Sequence, residues 1–463
     1  MGKKVAIIGG GPGGYVCGIR YAQLGCDVTI FEKDRIGGVC LNRGCIPTKA
    51  LHKSAEVYHE IKHAAEFGFN VPEVAVDADK IFERKAKVVE TLVSGTEQLV
   101  KGNGIHVIKT IAKLKPGKVV AWSDEAGEKE DHFDTIVIAT GTVPQAPPIP
   151  GSDIEGLLTS DHLLAMREIP ESMIVLGGGV VAMEFASIYA ELGTKVNVIV
   201  RSAILRMVDQ EVVKRATPVL KKQGIEINVK SQPKNIRKSE NGYIVTYEKN
   251  GQEVEAEAKY VLLAMGRTPV TQNLGLEDLG IELNKGYIKV DHYWKTNVEG
   301  IYAIGDINGY ALLAHAAEHQ GIQVAEYDML GIEPEHVEVP NCIFILPEIA
   351  SIGDTEEILK DKGVPYKTSK FLFGANGKAL ALGETDGLVK VITDMNSKLL
   401  GVHIFGAHAS DIIHEAILAM NNGMGVEDIR RTMHAHPTLP EAFYEAVAGI
   451  DGLAIHALGK KSK

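Results

Sequence analysis

The stretch VAIIGGGPGGYVCGIRYAQLGCDVTIFEK, residues 5–33, predicts a strand, a glycine turn, an amphipathic helix and a second strand. The glycines of its G-x-G-x-x-G pattern are Gly9, Gly11 and Gly14. Such a turn lets the backbone approach a pyrophosphate, whose charge the helix N-terminus stabilises. Glu32 closes the second strand, where a carboxylate can accept hydrogen bonds from a ribose 2′-OH. A lone glycine turn could simply pack a helix on a strand, but all these features together predict a dinucleotide-binding βαβ unit.

The same unit recurs 168 residues later (173 minus 5), as MIVLGGGVVAMEFASIYAELGTKVNVIVR, residues 173–201. Its glycine pattern falls on Gly177, Gly179 and Ala182. The position that matches Glu32 is Val200, so no carboxylate faces a ribose there. Arg201 follows directly and Arg206 lies five residues on, and arginines pair with a 2′-phosphate that an acid would repel. The second unit therefore predicts NADP(H) binding, unless both arginines are only solvated surface charges. Two such sites in one chain imply a flavin and a nicotinamide that exchange electrons.

Two cysteines follow the first unit, in GGVCLNRGCIPTKAL, residues 37–51. Along a regular helix Cys40 and Cys45 would be separated by a rise of about 7.5 Å, beyond comfortable reach for a disulfide. A bridge therefore needs an irregular first turn, with Pro47 at the start of the regular helix. Such a strained loop favours a labile, redox-active disulfide, and a helix N-terminus lowers the pKa of a released thiol. The alternatives are two unpaired cysteines, or a zinc site, for which no further ligands lie nearby. The other cysteines, expected to be packing residues, are Cys17, Cys26 and Cys342.

Length and charge restrict the class of protein. The 463 residues suffice for about three domains, and 49 basic against 60 acidic residues give a net charge of −11. This balance argues against nucleic acid as the main partner. No apolar run approaches the ~18 residues of a membrane span, so we expect no membrane partner. Five cysteines, an odd number in a long chain, do not make a secreted disulfide scaffold. We expect a cytoplasmic, multidomain enzyme.

Further motifs make the chain resemble the flavoprotein disulfide reductases, most closely the branch that reoxidises dihydrolipoyl groups. The motifs that carry the resemblance are GGGPGG near the start, GGVCLNRGCIPTK, Ala-Thr-Gly at 139–141, MGRTP at 265–269, YAIGD at 302–306 and HAHPTLPE at 434–441. The resemblance implies an α/β fold with two Rossmann-like domains, for FAD and for NAD(P), and a C-terminal α+β dimerisation domain. We expect the FAD domain at 1–144 and 269–335, the NAD(P) domain at 145–268 and the interface domain at 336–463.

The resemblance also implies roles for individual residues. Cys45 would lie next to the flavin, and Cys40 would exchange with the substrate disulfide. His436 would act as base and acid at the active site of the other subunit of a homodimer, with Glu441 orienting its imidazole. The implied ion pair near the flavin N5 consists of Lys49 and Glu184. The positions implied for FAD are Gly9, Gly11, Gly14, Glu32, Lys49, Ala112, Gly141, Asp306 and Ala314, and those for NAD(P) are Gly177, Gly179, Ala182, Arg201, Arg206 and Gly266.

By the same resemblance, dihydrolipoyl groups on a separate carrier protein would be oxidised while a nicotinamide is reduced. That carrier would belong to a 2-oxoacid dehydrogenase complex or to the glycine cleavage system. The chain departs from this branch at Val200-Arg201, where the branch carries a glutamate for NAD, and there it resembles glutathione reductase. We therefore expect NADP(H) to be preferred over NAD(H). The alternative is an NADPH-dependent reductase of glutathione or a related small disulfide. A non-catalytic flavoprotein would leave the dithiol and the His436–Glu441 pair without a role.

Overall fold

The computed structural model describes residues 2–335 and 337–458. The strands of this part of the chain are β1 (Lys4–Ile8), β2 (Asp27–Glu32), β3 (His106–Lys109), β4 (Lys113–Lys115), β5 (Val119–Asp124), β6 (Gly127–His132), β7 (Thr135–Ile138), β8 (Thr142–Pro144), β9 (Ser172–Leu176), β10 (Lys195–Ile199), β11 (Glu226–Asn228), β12 (Ser231–Ser239), β13 (Gly242–Lys249), β14 (Gln252–Ala258), β15 (Tyr260–Leu263), β16 (Arg267–Pro269), β17 (Leu283–Asn284), β18 (Tyr287–Ile288), β19 (Ile301–Ala303), β20 (Asn341–Ile343), β21 (Ile349–Gly353), β22 (Lys367–Leu372), β23 (Leu388–Thr393) and β24 (Leu399–Phe405).

The α-helices of the same residues are α1 (Pro12–Gln23), α2 (Gly38–Arg43), α3 (Cys45–His63), α4 (Ala78–Gly102), α5 (Ser160–Ala165), α6 (Val180–Glu191), α7 (Gln210–Lys222), α8 (Ala314–Leu330), α9 (Glu356–Lys362), α10 (Gly377–Leu382), α11 (Ala409–Asn421), α12 (Val426–Arg431) and α13 (Glu441–Ala448). Short 3₁₀ turns occur at Ala64–Phe67, Gly305–Asn308, Phe373–Ala375 and Gly449–Asp451.

The first glycine turn belongs to a parallel sheet with strand order β19-β7-β1-β2-β3. The central strand β1 is an apolar run buried along most of its length, as expected where helices cover both faces of a parallel sheet. Helices α1 and α8 pack closely, because Gly321 of α8 lies against Gly13 of α1; a Cβ on Gly321 would lie 2.7 Å from the Gly13 carbonyl oxygen. Because β1, β7 and β19 are parallel, their carboxyl ends share one edge of the sheet, where open α/β sheets bind their ligands.

The second glycine turn belongs to a parallel sheet with strand order β11-β10-β9-β15. The turns of the two units match in detail. Gly9 and Gly177 have φ of 109° and 130°, and a Cβ there would lie 2.4 Å from the Ala139 oxygen and 2.2 Å from the Ala264 oxygen. Each turn thus passes so close to the end of a neighbouring strand that only glycine fits. This confirms the predicted fold of two dinucleotide-binding units.

Two short strands connect the two nucleotide-binding parts. β8 and β16 pair antiparallel, with Arg267 opposite Pro144 and Pro269 opposite Thr142. The chain leaves the first sheet through β8 and returns through β16. The predicted domain boundaries at residues 144 and 269 lie in this strand pair.

The last part of the chain is an antiparallel sheet with strand order β20-β21-β24-β23-β22. Helices α11 and α13 pack on it through a buried apolar core that includes Ile413, Phe443 and Val447. The predicted C-terminal α+β domain is therefore confirmed. Among the described residues, no helix combines the length and the apolar character needed to cross a lipid bilayer.

Candidate active site

The two cysteines of the glycine-rich stretch lie on two consecutive helices. Cys40 is in α2 and Cys45 is the first residue of α3, with Gly44 between the helices. This break brings the two thiols into hydrogen-bond contact. The expected irregular turn is present, but the helix begins at Cys45 and not at Pro47, because Gly44 already redirects the chain. Both cysteines are free thiols, so the structure describes the dithiol form, and the disulfide stays a prediction.

The electrostatics of the pair distinguish its two sulfurs. A hydrogen bond from the Cys40 thiol, opposed by burial and assisted by the Lys49 ammonium, lowers the pKa of Cys45 to about 7. The same hydrogen bond, together with burial, raises the pKa of Cys40. Since the thiolate is the reactive form of cysteine, Cys45 is a stabilised thiolate near neutral pH.

We expect alkylation of Cys45 in the reduced protein to increase with pH about a midpoint near 7. The variant Cys40→Ser keeps a hydroxyl that can donate to Cys45, whereas Cys40→Ala has no donor. The midpoint should therefore be higher in Cys40→Ala than in Cys40→Ser. Peptide mass spectrometry after iodoacetamide labelling across a pH series measures both midpoints. Equal midpoints would contradict a hydrogen bond as the main cause of the low pKa.

An ion pair joins the dithiol helix to the second nucleotide unit. Lys49 Nζ on α3 lies 3.0 Å from both carboxylate oxygens of Glu184 on α6. Glu184 is buried and also accepts a hydrogen bond of 2.9 Å from the Phe344 backbone N–H. The ammonium lies 4.3 Å from the centre of the Phe344 ring. The pair thus fixes the dithiol where all three parts of the chain meet. Nothing in the sequence identified Phe344.

The edge of the first sheet suits the adenosine and pyrophosphate of a dinucleotide. A Cβ on Gly11 would meet no atom within 4 Å, so the backbone at the start of α1 borders open space. The Glu32 carboxylate is buried at the end of β2 and accepts hydrogen bonds from the Gly10 N–H at 2.7 Å and the Asp34 N–H at 2.8 Å. A carboxylate has about four acceptor sites, so Glu32 can also accept from a ribose. Ala112 is buried in the segment that leads away from β3.

Asp306, the residue predicted to meet the flavin half of the dinucleotide, lies directly beyond β19 at the same edge of the sheet. Thr142 Oγ1 donates to Asp306 Oδ2 at 2.7 Å, and Arg267 Nε donates to Thr142 Oγ1 at 2.7 Å. Burial raises the pKa of Asp306, against the hydrogen bond from Thr142 and the charge of Arg267. A half-buried carboxylate of this kind suits donors such as the hydroxyls of a ribityl chain. Gly141 has a φ of 68°, and Ala314 is the first residue of α8. These residues fit FAD.

The second glycine turn offers a similar cradle. A Cβ on Gly179 would meet no atom within 4 Å, which leaves the start of α6 open to a pyrophosphate. Ala182 is fully buried in the first turn of α6, where its methyl group packs in the core. Gly266, with a φ of 130°, lies between β15 and β16 at the same edge of the sheet.

The ribose end of this cradle differs from that of the first unit. Val200 is buried over the turn, and a Cβ on Gly178 would lie 2.7 Å from its Cγ2 atom. A valine therefore occupies the position that Glu32 has in the first unit. Arg201 and Arg206 are both exposed, and neither has a hydrogen bond or ion pair among the residues that the structure describes. Their charges are thus available to an anion.

The predicted base lies far along the chain from the dithiol. His436 Nδ1 is 2.9 Å from Glu441 Oε1, and Glu441 Oε2 accepts from the Thr438 N–H at 2.7 Å. Burial raises the pKa of Glu441, but these hydrogen bonds outweigh it and lower the pKa. The His436 side chain is 76% exposed, so its Nε2 is accessible to another molecule. His434 instead lies with its ring Nε2 2.9 Å from Glu415 and its side chain only 8% exposed, as expected of a structural neighbour.

The fold and the site define a class of protein: an oxidoreductase in which a dithiol lies between two dinucleotide-binding units. Comparison with known proteins agrees. Residues 3–321 match the family model described as pyridine nucleotide-disulphide oxidoreductase, and residues 339–447 match its dimerisation domain.

Individual relatives extend this match over nearly the whole chain. The chain is 42% identical over 458 residues to a dihydrolipoyl dehydrogenase of Bacillus subtilis (strain 168), covering 97% of both chains. It is 40% identical over 464 residues to that of Geobacillus stearothermophilus, covering 99% of this chain and 98% of the relative. The crystal structure of LpdA from Mycobacterium tuberculosis has a TM-score of 0.88 at 27% identity, over 96% of this chain and 99% of that one. The chain belongs to the pyridine nucleotide-disulphide oxidoreductase family. It is accordingly a flavoprotein enzyme with FAD, a disulfide redox centre and NAD(P).

Proposed function

We propose that the protein is a dihydrolipoyl dehydrogenase, which oxidises dihydrolipoamide on a carrier protein and reduces NAD(P)+. The observation that carries this proposal is the contact between Cys40 and the low-pKa thiol of Cys45, held beside Lys49. The names of the relatives support the same substrate.

The proposed chemistry is a dithiol–disulfide exchange. A substrate thiolate attacks Cys40 in the Cys40–Cys45 disulfide and releases Cys45, whose low pKa makes it the better leaving group. The second substrate thiolate then attacks the substrate sulfur that is bonded to Cys40. This closes the substrate disulfide and releases Cys40 as a thiol. His436 Nε2 accepts the proton of the attacking thiol and returns one to Cys40, while Glu441 on Nδ1 keeps the ring oriented. Glu32 and Asp306 would hold FAD at the edge of the first sheet, where it would supply an acceptor for the electron pair of the dithiol and a hydride donor to the nicotinamide.

We also propose how the domains and the subunits are arranged. An FAD domain at 1–144 and 269–335, an NAD(P) domain at 145–268 and an interface domain at 336–463 follow the two parallel sheets and the antiparallel one. The exposure of His436 and the match to a dimerisation domain support a homodimer in which this histidine serves the partner's dithiol. The carrier would be the lipoyl protein of a 2-oxoacid dehydrogenase complex or of the glycine cleavage system, in the cytoplasm.

Turnover of dihydrolipoamide by the purified holoenzyme tests the substrate. Oxidation with either NADP+ or NAD+ is expected. The alternative is an NADPH-dependent reductase of glutathione or a related small disulfide, which the Val200-Arg201 position favours. No oxidation of dihydrolipoamide with either nicotinamide, together with NADPH-driven reduction of glutathione disulfide, would replace the first function by the second.

We expect kcat/KM for NADP+ to exceed that for NAD+ by roughly a hundredfold, because Arg201 and Arg206 are free to pair with a 2′-phosphate. The double variant Arg201→Ala/Arg206→Ala should lose most of this preference, with kcat/KM for NAD+ little changed. Arg237→Ala, an exposed arginine on β12 paired with Glu255, is the matched control. A wild-type preference for NAD+ would keep the lipoamide substrate but remove both arginines from cofactor selection.

A further inference from the structure

A buried lysine connects the nucleotide domain to the interface domain. Lys390, in the middle of β23, is 1% exposed, and its Nζ lies 2.9 Å from both carboxylate oxygens of Asp209, which is 0% exposed. The same ammonium lies 3.3 Å from Glu211 and contacts Glu356. Asp209 and Glu211 lie at the start of α7, in the domain of the second glycine turn. Lys390 lies in the antiparallel sheet of the interface domain, and Glu356 is the first residue of α9 beside it. The ion cluster therefore crosses the boundary between two domains.

Asp209 is the last residue of the loop that borders the ribose end of the second glycine turn. Residues 200–209 connect β10 to α7 and carry Arg201 and Arg206, which have no hydrogen bond or ion pair within the described part of the chain. The middle of the loop is tied to the glycine turn, because the Leu205 N–H donates to the Gly178 carbonyl at 2.7 Å. At its end, Asp209 caps α7 by accepting from the Glu211 N–H at 3.0 Å. Beyond this cap, the charge that holds Asp209 comes from another domain.

All members of this cluster are charged at neutral pH. Burial lowers the pKa of Lys390, but its hydrogen bonds to Glu356 and Asp209 outweigh burial and raise it. Burial raises the pKa of Asp209, and the hydrogen bond from Lys390 with the other nearby charges reverses this. Without Lys390, the Asp209 carboxylate would keep only the N–H groups of Glu211 and Glu356 and the nearby His403, whose pKa burial lowers and which therefore compensates the charge poorly. Because such a charge is strongly unfavourable, Asp209 would move toward water and take the end of the loop with it.

We propose that Lys390 is a positioning residue for the nicotinamide dinucleotide: through Asp209 it fixes the loop that meets the adenosine ribose. The inference rests on the proposed function only in that the second glycine turn binds this dinucleotide. Lys390 lies outside the nicotinamide site, and the dithiol is held by a different ion pair, Lys49–Glu184. Loss of the Lys390 ammonium should therefore weaken nicotinamide binding and leave the oxidation of dihydrolipoamide by the flavin and dithiol unchanged.

The test compares the two half-reactions of the holoenzyme in the variant Lys390→Met. We expect KM for the nicotinamide to rise by roughly ten- to a hundredfold, as for a displaced positioning group. The rate of anaerobic flavin reduction by dihydrolipoamide and the KM for dihydrolipoamide should not change. The Kd for the nicotinamide, measured by calorimetry, needs no second substrate. A wild-type enzyme that dihydrolipoamide does not reduce would reject the proposed function, while the Kd values would still decide the role of Lys390.

Three further variants separate positioning from general destabilisation. Asp209→Asn/Lys390→Met removes both buried charges and keeps a side chain that can cap α7, so it remains a test if the single variant does not fold. A smaller rise in KM and Kd than in Lys390→Met is expected, because the ion pair that fixes residue 209 is absent but no uncompensated charge drives it toward water. Lys390→Arg retains the charge and should restore most of the affinity. Lys362→Met, which removes an exposed ion pair to Asp354, is the matched control. Unchanged nicotinamide affinity in the double variant would overturn the inference. So would a slowing of flavin reduction by dihydrolipoamide as large as the loss of nicotinamide affinity.

Discussion

Replacing Cys45 by serine should lower kcat for dihydrolipoamide oxidation by roughly 10³-fold or more, because a hydroxyl cannot form the disulfide that accepts the substrate's electrons. Cys45 contacts Cys40, and its pKa near 7 makes it the thiolate of the pair. Serine has nearly the shape of cysteine, so FAD binding and the Lys49–Glu184 ion pair should remain. The rate should fall without loss of the flavin.

Steady-state turnover with both nicotinamides, flavin absorbance and thermal unfolding measure this outcome. Cys26→Ser is the matched control, since Cys26 is half-buried beside Met329, with 3.4 Å between the two sulfurs, and should keep activity within about twofold. Thiol counting adds an independent readout: oxidised wild type should have two fewer alkylatable thiols than reduced wild type. Retention of activity in Cys45→Ser within tenfold, or free alkylation of both cysteines in the oxidised protein, would contradict the proposed redox pair.

The parts of the fold that the sequence predicts are those where backbone geometry dictates the residue. Gly9 and Gly177 are required because a Cβ would collide with the end of a neighbouring strand. Gly11 and Gly179 border open space instead, so their pattern points to a ligand. This distinction is encoded in residue spacing, which is why the two βαβ units were recognisable. The predicted start of α3 at Pro47 is wrong by two residues, because the chain already turns at Gly44 and the helix begins at Cys45.

Contacts between distant segments could not be predicted in the same way. Lys390 stands in the apolar strand LVKVIT, which signals a buried cation, but its partner Asp209 is 181 residues away. The support of Glu184 by the Phe344 N–H has no sequence signal, because any residue but proline supplies that donor. Thr142 and Arg267 lie in the predicted boundary segments, and only the β8–β16 pairing brings them to Asp306. Periodicity describes a segment and its faces, whereas these contacts depend on how the sheets assemble.

Replacing His436 by glutamine should lower kcat/KM for dihydrolipoamide by roughly 10²- to 10⁴-fold, the usual contribution of a positioned general base. Glu441→Gln should cost roughly ten- to a hundredfold, because the imidazole loses the carboxylate that orients it. The chain offers a close control. His456 Nδ1 lies 2.8 Å from Glu445 Oε1, one turn further along α13 than Glu441, and its side chain is similarly exposed. His456→Gln should keep activity within about twofold. Equal losses of activity in His436→Gln and His456→Gln would assign the loss to a disturbance of α13 and not to the removal of a base.

Mixed dimers decide which subunit supplies this base. A dimer of one Cys45→Ser subunit and one His436→Gln subunit contains a single intact Cys45 and a single intact His436, on different chains. If His436 serves the partner's dithiol, one of the two sites has both groups, and the mixed dimer should regain about half of the wild-type activity although each parent is inactive. If each chain completes its own site, neither site has both groups and the mixed dimer stays inactive. Purifying it with two different affinity tags before the assay excludes the parent dimers. The exposure of His436 and its place in the domain that matches a dimerisation model favour the first result.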